Sequence, residues 1–146
     1  MTSESQRKKI VVAVDTSDYA VQVMKAAYDI AENINADVEI LTVIETMELA
    51  SEGELDAGQI EAEEKEVAEY QKKLIDTCFS GSTLLIESKI LHGNPAKKIC
   101  EFANRTNASI VVIGTRGLGK LQSKMLGSVS EKVIKNCHCS VLTVRK

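Results

Sequence analysis

The sequence predicts an α/β fold in which helices cover both faces of a parallel β-sheet. The first observation is the unbroken apolar run from Ile10 to Val14, mostly β-branched, which is typical of a strand buried on both faces and hence of a parallel sheet. The second is that such runs alternate with segments whose apolar residues recur every three or four positions. A chain of 146 residues suits one domain, residues 1–146.

The first strand and the first helix are predicted near the start of the chain. The strand spans Lys9 to Asp15, and Ser17 or Asp18 can cap the helix that follows it. The helix has one apolar stripe, made of Ala20, Met24, Ala27, Ala31 and Ile34.

A second strand and a second helix follow, with a loop between them. The strand is predicted at Val38 to Ile44. The acidic stretch Glu45 to Gly58 has no clear periodicity, so we predict a surface loop there. The helix is predicted from Gln59 to about Phe79, with an inward face made of Ile60, Val67, Tyr70, Leu74 and Cys78.

The third strand and the third helix have distinct local signals. Leu84 to Leu91 alternates in part between apolar and charged residues, as a half-exposed edge strand does. Asn94 and Pro95 are typical of a helix cap and a first helical residue. The inward face of this helix is predicted to contain Ala96, Ile99, Cys100 and Ala103.

The last part of the chain predicts two more strands and a helix. Ser109 to Ile113 is the fourth strand, and Ser140 to Arg145 is the fifth. The helix between them is predicted to face inward with Val129, Val133, Ile134 and Cys137.

Composition narrows the classes of function. The net charge of −3 argues against non-specific nucleic-acid binding, and an aromatic content of 3% without Trp argues against base-stacking platforms. Met1 to Lys9 is polar, and no run reaches the roughly 18 apolar residues that a membrane span needs. We therefore expect a cytoplasmic protein with no nucleic-acid or membrane partner. The cysteines, which have no disulfide-framework spacing, are expected to be reduced thiols: Cys78, Cys100, Cys137 and Cys139.

A glycine-rich, basic stretch from Gly114 to Ser130 carries the strongest functional signal. It follows the fourth strand and is too long for a simple turn. We expect positive φ angles and a close approach to a ligand at its early glycines, Gly114, Gly117 and Gly119. Gly127 to Val129 is predicted to begin a helix with free backbone N–H groups, which attract an anion. Mobile positive charge comes from Arg116, Lys120 and Lys124. The stretch predicts a loop that holds the phosphates of a nucleotide.

Two common phosphate-binding motifs do not fit this loop. Gly114 and Gly119-Lys120 match the P-loop pattern GxxxxGK, but Leu121 stands where a P-loop needs Ser or Thr to hold Mg²⁺. No GxGxxG pattern follows any predicted strand, so a dinucleotide fingerprint fits less well still.

The spacing that does fit is G-x2-G-x9-G-[ST], complete at Gly114, Gly117, Gly127 and Ser128. It resembles the ATP-binding motif of the universal stress protein family. The resemblance extends from Lys9 to Lys146. It implies a doubly wound, Rossmann-like sheet of five parallel strands in the order 3-2-1-4-5, of the adenine nucleotide alpha hydrolase-like kind.

The resemblance also implies a site for ATP, with Mg²⁺ or Mn²⁺. By position, the base would lie near the ends of the first two strands, at Ala13, Val14, Asp15 and Val43. Ribose and phosphates would contact Gly114, Arg116, Gly117, Gly127, Ser128, Val129 and Ser130. Ile113, just before the loop, completes the implied set. Departures from the family pattern occur at Thr42, Ser109 and Ser140, all outside the phosphate loop.

Other candidate groups have competing interpretations. Asp15 could be a catalytic carboxylate, a nucleotide contact or a strand-end cap, and we prefer nucleotide contact. Ser128 and Ser130 could accept phosphate, but helix-start hydrogen bonds explain them better. Cys137-His138-Cys139 is too closely spaced to surround a tetrahedral ion, and His92 is interpreted as structural. No catalytic residue and no protein metal site is assigned.

The last strand predicts an oligomer. Ser140 to Val144 is expected to be an edge strand with apolar side chains, and such an edge favours pairing with a second copy. The resemblance likewise implies a homodimer through this strand.

Three functions remain open from the sequence. The leading hypothesis is an ATP-binding regulatory protein of the stress response, with at most weak ATPase or autophosphorylation activity. The alternatives are a nucleotide-free interaction module of the same fold and an enzyme, either a phosphotransferase or one that uses a thiol.

Overall fold

The computed structural model describes residues 7–45, 57–115 and 127–145. Strands and helices alternate through these residues. The strands are β1 (Lys9–Ala13), β2 (Asp37–Ile44), β3 (Ile86–His92), β4 (Ile110–Gly114) and β5 (Ser140–Val144). The helices are α1 (Ala20–Ile34), α2 (Ala57–Cys78), α3 (Pro95–Arg105) and α4 (Ser128–Asn136).

The strands form one parallel sheet in the order β3-β2-β1-β4-β5, which confirms the expected fold class. β1 lies at the centre because its side chains are apolar on both faces. Ile10, Val11 and Val12 have no exposed surface. β3 lies at one edge, as its partial alternation predicts, and Glu87 and Lys89 are exposed there.

Two helix pairs cover the sheet. α1 and α2 pack on the face that carries Ile10 and Val12, and we call this pair the first layer. α3 and α4 pack on the opposite face, against Val11 and Ala13, and form the second layer. Adjacent residues of β1 pack against different layers because side chains alternate between the two faces along a strand.

Helix starts agree with the sequence at α3 but not at α1. Asn94 caps α3, since its Oδ1 accepts a hydrogen bond from the Lys97 N–H at 3.1 Å, and Pro95 begins the helix. Tyr19, rather than Ser17 or Asp18, occupies the cap position of α1 and makes no side-chain capping bond. The Ser17 carbonyl instead accepts from the Ala20 N–H, in a turn before the helix.

Element bounds and inward faces differ from the predictions at several positions. β3 begins at Ile86 rather than Leu84, and α2 begins at Ala57 rather than Gln59. Ile34 and Ile134, predicted to face inward, are 37% and 42% exposed. Each lies in the last turn of its helix. Most of the predicted loop, residues 46–56, lies outside the described part of the chain.

The expectation of four reduced thiols is wrong for two of them. Cys100 in α3 and Cys137 at the end of α4 form a disulfide, with their Cα atoms 4.9 Å apart. The two residues are 37 positions apart in sequence and meet only because α3 and α4 pack together. Spacing along the chain could not show this contact. Cys78 and Cys139 are free thiols, and burial raises the pKa of both.

None of the helices in the described parts of the chain is long and apolar enough to cross a bilayer.

Candidate functional site

A cavity of about 350 Å³ opens where β1, β2 and β4 end. The chain runs from β1 outward through β2 and β3, then returns to β4 on the other side of β1. Parallel sheets bind ligands at this point, because the loops leave the strands in opposite directions and open a crevice.

The cavity contains the predicted site residues that the structure describes. They come from three strand ends and one helix start: Ala13, Val14, Asp15, Val43, Ile113, Gly114, Gly127, Ser128, Val129 and Ser130. Arg116 and Gly117 lie outside the described residues, as do Gly119, Lys120 and Lys124.

The first turn of α4 presents backbone donors to the cavity. The first hydrogen bond within the helix runs from the Glu131 N–H to the Gly127 carbonyl at 3.0 Å. The N–H groups of Ser128, Val129 and Ser130 precede it, so they have no partner within the helix. The Gly127 N–H, predicted to be free, donates to the Thr115 carbonyl at 3.0 Å. The N–H groups that lack a partner within the helix are therefore those of Ser128 to Ser130, one residue later than expected.

The structure describes two glycines of the motif, Gly114 and Gly127, and both stand where a side chain would collide with a neighbouring residue. Gly114 does not have the positive φ that we expected, since it is the last residue of β4. A Cβ atom there would lie 2.6 Å from the Tyr19 ring. A Cβ atom on Gly127, whose φ is −65°, would lie 2.9 Å from the Thr115 carbonyl oxygen. Both glycines allow close backbone packing that the sequence pattern alone did not explain.

The polar side chains of the predicted site stabilise its turns. The Asp15 carboxylate accepts hydrogen bonds from the N–H and the hydroxyl of Ser17, at 2.9 and 2.5 Å. Asp15 therefore caps the turn after β1 and also lines the cavity. The buried Ser130 hydroxyl donates to the Gly127 carbonyl at 2.9 Å, which is the helix-start role preferred from the sequence.

Tyr19 is the main residue that sequence reasoning missed. Its ring lines the cavity beside Gly114 and is 8% exposed. Its hydroxyl donates to the Val144 carbonyl at the end of β5, and the same carbonyl accepts from the Thr115 N–H at 3.0 Å. Tyr19 thus connects the cavity with the last strand. No local pattern indicates this role, since the two residues meet only in the folded sheet.

The other missed residues give the cavity a largely apolar wall. Three come from α1 and the turn before it, two from the first two turns of α3, one from β2 and two from just after β2 and β4: Ser17, Ala20, Val23, Pro95, Ile99, Leu41, Glu45 and Thr115. Asn94-Pro95 predicted the start of α3 correctly, and periodicity assigned Ile99 to the core without showing that it also lines the cavity.

A protein-family model described as the universal stress protein family matches residues 6–145. The chain belongs to the universal stress protein family. A universal stress protein of Methanocaldococcus jannaschii is 36% identical, over 98% of this chain and 85% of the relative.

Solved universal stress proteins have the same fold. The structure of UspA from Lactobacillus plantarum aligns with a TM-score of 0.80 at 22% identity, over 94% of this chain and 97% of that one. A universal stress protein from Archaeoglobus fulgidus, solved in complex with dAMP, aligns with a TM-score of 0.68 at 26% identity. That alignment covers 93% of this chain and 96% of the other.

Proposed function

We propose that this universal stress protein binds ATP, together with Mg²⁺ or Mn²⁺, in the cavity at the ends of β1, β2 and β4. In this proposal nucleotide occupancy is a regulatory signal in the stress response, and hydrolysis is slow at most. The observation that carries the proposal is the set of N–H groups of Ser128, Val129 and Ser130 at the start of α4. The dAMP complex of the Archaeoglobus fulgidus relative supports an adenine nucleotide as the ligand class.

The first turn of α4 suits a phosphate for two reasons. Its free N–H groups point out of the helix, and the helix dipole places positive potential at the same point. Gly127 adds no side chain to this surface, and the Gly127–Thr115 hydrogen bond fixes the turn against β4. A preformed group of this kind binds an anion without having to be ordered first.

The opposite part of the cavity suits a nucleobase. Val14, Val43 and Ile113 form apolar strand ends, and a flat base gains binding free energy by leaving water against such a surface. A volume of about 350 Å³ lies within the range of small-molecule sites.

A divalent cation would enter with the nucleotide. Mg²⁺ sites on nucleotides use phosphate oxygens with one or two carboxylates, and Asp15 and Glu45 are the carboxylates of the cavity wall. The described residues contain no group of three side chains that could hold a metal ion by themselves. The bound ion would neutralise phosphate charge, while the residues of this chain orient the nucleotide.

Replacing Ser128 tests the phosphate contact directly. Ser128→Pro removes one N–H group at the first helical position, where proline is well tolerated, and Gly127 already has the extended ψ of 159° that suits a residue before proline. Ser128→Ala keeps the N–H and removes only the hydroxyl. We expect Ser128→Pro to weaken ATP binding about 10- to 100-fold, since hydrogen bonds to charged groups contribute roughly 1.5–3 kcal/mol.

Isothermal titration calorimetry with ATP, with and without Mg²⁺, measures both variants. Ser128→Ala should bind ATP within about twofold of the unmodified protein. Equal affinities of Ser128→Pro and Ser128→Ala would contradict the phosphate contact. Absence of ATP binding in the unmodified protein would leave the nucleotide-free interaction module as the better account.

The regulatory part of the proposal predicts little turnover. Asp15 and Ser130 are hydrogen-bonded within turns, so neither side chain is held as a general base toward a phosphate. Phosphate release should be far slower than the roughly 10 per second of a typical enzyme. A rate near that value would show that the protein is an ATPase.

We also propose a cytoplasmic homodimer that pairs through β5. β5 is an edge of the sheet, and Leu142 on it is 37% exposed. Leu142→Asp should give a monomer by light scattering at micromolar concentration. Ile134→Asp, which places the same charge at a similarly exposed residue of α4, should leave the dimer intact. If both Leu142→Asp and Ile134→Asp remain dimeric, β5 is not the interface.

A further inference from the structure

A disulfide joins the two helices of the second layer. Cys100 lies in the second turn of α3 and is 7% exposed, whereas Cys137 follows the last turn of α4 and is half-buried. The Cys137 N–H also donates to the Val133 carbonyl, which closes the end of α4. One covalent bond therefore fixes the end of α4 to the body of α3.

The same two helices form one side of the cavity. Pro95 and Ile99 of α3 line it, and Ile99 is adjacent to Cys100 in sequence. The first turn of α4, with Ser128, contributes its N–H groups. α4 has nine residues, roughly 13 Å of helix, so fixing its end limits the tilt of its first turn. The disulfide is thus placed to restrain the turn that contributes these N–H groups.

The four cysteines differ in their surroundings. Cys100 is buried, whereas Cys137 is half-buried, as are Cys78 and Cys139. Cys139 packs against the same core cluster as Cys137. Cys78 lies on the opposite face of the sheet, against the first layer. Burial raises the pKa of the Cys78 and Cys139 thiols, which keeps them protonated and poorly nucleophilic.

We propose that Cys100 and Cys137 are a reversible dithiol–disulfide site, whose substrates are low-molecular-weight disulfides and thiols, and that the disulfide form binds nucleotide more tightly. The second half of this statement rests on the proposed function, and the reversibility of the site rests on the proposed cytoplasmic location. Disulfides of cytoplasmic proteins are usually redox-active rather than permanent, which favours reversibility. Restraining α4 against α3 pre-organises the phosphate site, which favours tighter binding.

The reaction balances as a thiol–disulfide exchange with glutathione disulfide as the oxidant. The Cys137 thiolate attacks one sulfur of glutathione disulfide, forms a mixed disulfide and releases one glutathione thiolate. The Cys100 thiolate then attacks the Cys137 sulfur and releases the second. The protein loses two electrons and two protons, and two glutathione molecules gain them. The same two steps in reverse reduce the disulfide to two thiols.

The first experiment tests reversibility without nucleotide. The native protein is equilibrated in glutathione buffers of graded ratio, its free thiols are alkylated, and each cysteine is located by mass spectrometry. We expect Cys100 and Cys137 to change from thiols to disulfide together within the range of glutathione ratios used. The control variants Cys78→Ser and Cys139→Ser should leave the midpoint of this transition unchanged. A pair that stays oxidised at every ratio, or a midpoint that moves in the Cys139→Ser variant, would overturn the reversible site.

The second experiment tests the link to the cavity. Calorimetry with ATP compares the oxidised protein, the reduced protein and the Cys137→Ser variant. The oxidised protein should bind at least about fivefold more tightly than the other two, which should agree with each other. Amide hydrogen exchange in the first turn of α4, measured without nucleotide, should be faster in the reduced protein.

The outcomes separate the two proposals. Equal ATP affinities in both redox states, with equal hydrogen exchange, would overturn the link while leaving ATP binding intact. Absence of ATP binding in both states would overturn the proposed function and the link to it together, while the alkylation experiment would still decide reversibility.

Discussion

The two helical layers cover the same sheet but are built differently. The first layer contains the two longest helices, of 15 and 22 residues, and packs small and aliphatic side chains against Ile10 and Val12. The second layer has helices of 11 and 9 residues, joined by a disulfide, and the starts of both helices line the cavity. The layers therefore differ in their share of the cavity: both helices of the second layer line it, whereas in the first layer α1 does so, at Ala20 and Val23.

Shortening one core side chain in each layer is the strongest test of this difference. Met24 in α1 has no exposed surface, and Ile99 in α3 is 4% exposed. Met24→Ala and Ile99→Ala should each lower the free energy of unfolding by about 2–5 kcal/mol in urea titrations. Only Ile99→Ala should weaken ATP binding, by about tenfold, because only Ile99 lines the cavity. An equal loss of affinity in Met24→Ala would remove the distinction between the layers.

Reducing the disulfide should destabilise the protein through the second layer. The Cys100–Cys137 bond closes a loop of 37 positions, so its loss should lower the free energy of unfolding by about 2–4 kcal/mol. Urea titration with and without a reductant measures this change. The Cys137→Ser variant should match the reduced protein and should not respond to the reductant. A response in that variant would assign the effect to another group.

Tyr19, at the cap position of α1, lines the cavity together with Ala20 and Val23 of that helix. Its hydroxyl donates to the Val144 carbonyl, and removing one such hydrogen bond costs about 1 kcal/mol. Tyr19→Phe should therefore lower the midpoint of urea unfolding slightly and increase hydrogen exchange at Thr115, whose N–H shares that carbonyl. Tyr70→Phe removes a comparable hydroxyl bond, to the Ser17 carbonyl at 2.6 Å, and should leave Thr115 unchanged.

The smallest expected effect is a pH dependence that originates in the sheet. Burial raises the pKa of Glu39, Lys9 opposes this shift, and Glu87 on the paired strand adds to it. The native protein therefore holds a proton at pH values where the unfolded chain has already lost it. As pH falls from 7 toward the ordinary glutamate value of 4.5, this group increases the free energy of unfolding.

Glu39→Gln should remove the contribution of Glu39 to this pH dependence and increase the free energy of unfolding at neutral pH. Urea titrations at neutral and mildly acidic pH, compared between the two proteins, measure the change in slope. A slope that is equal in both proteins would show that Glu39 is already well solvated in the folded state.

Local signals in the sequence predicted most of the fold. The apolar run of β1, the charge alternation of β3 and the Asn94-Pro95 helix start depend on neighbouring residues, and each has the expected structure. The strand order came from the family resemblance, because periodicity does not specify which strands pair. The cap of α1 was wrong because the Asp15 side chain holds Ser17 in a separate turn.

The cavity-lining residues were predictable where they come from strand ends and a helix start. Its remaining features depend on contacts between distant residues. Tyr19 meets Gly114 and Val144 only in the folded sheet, and this contact, rather than a positive φ, explains the glycine. The disulfide depends in the same way on how α3 packs against α4. A single sequence contains no direct record of such contacts.

The central position of β1 has a consequence for synthesis on the ribosome. β1 is the first strand to emerge, and β2 and β3 can join it early, but Ile110 of β4 pairs with Ile10 about 100 positions later. At about 5–20 residues per second, one edge of the most apolar strand waits roughly 5–20 s for its partner during translation. That edge of β1 is therefore unpaired during this interval, and the cavity is completed only when the first turn of α4 has left the ribosome.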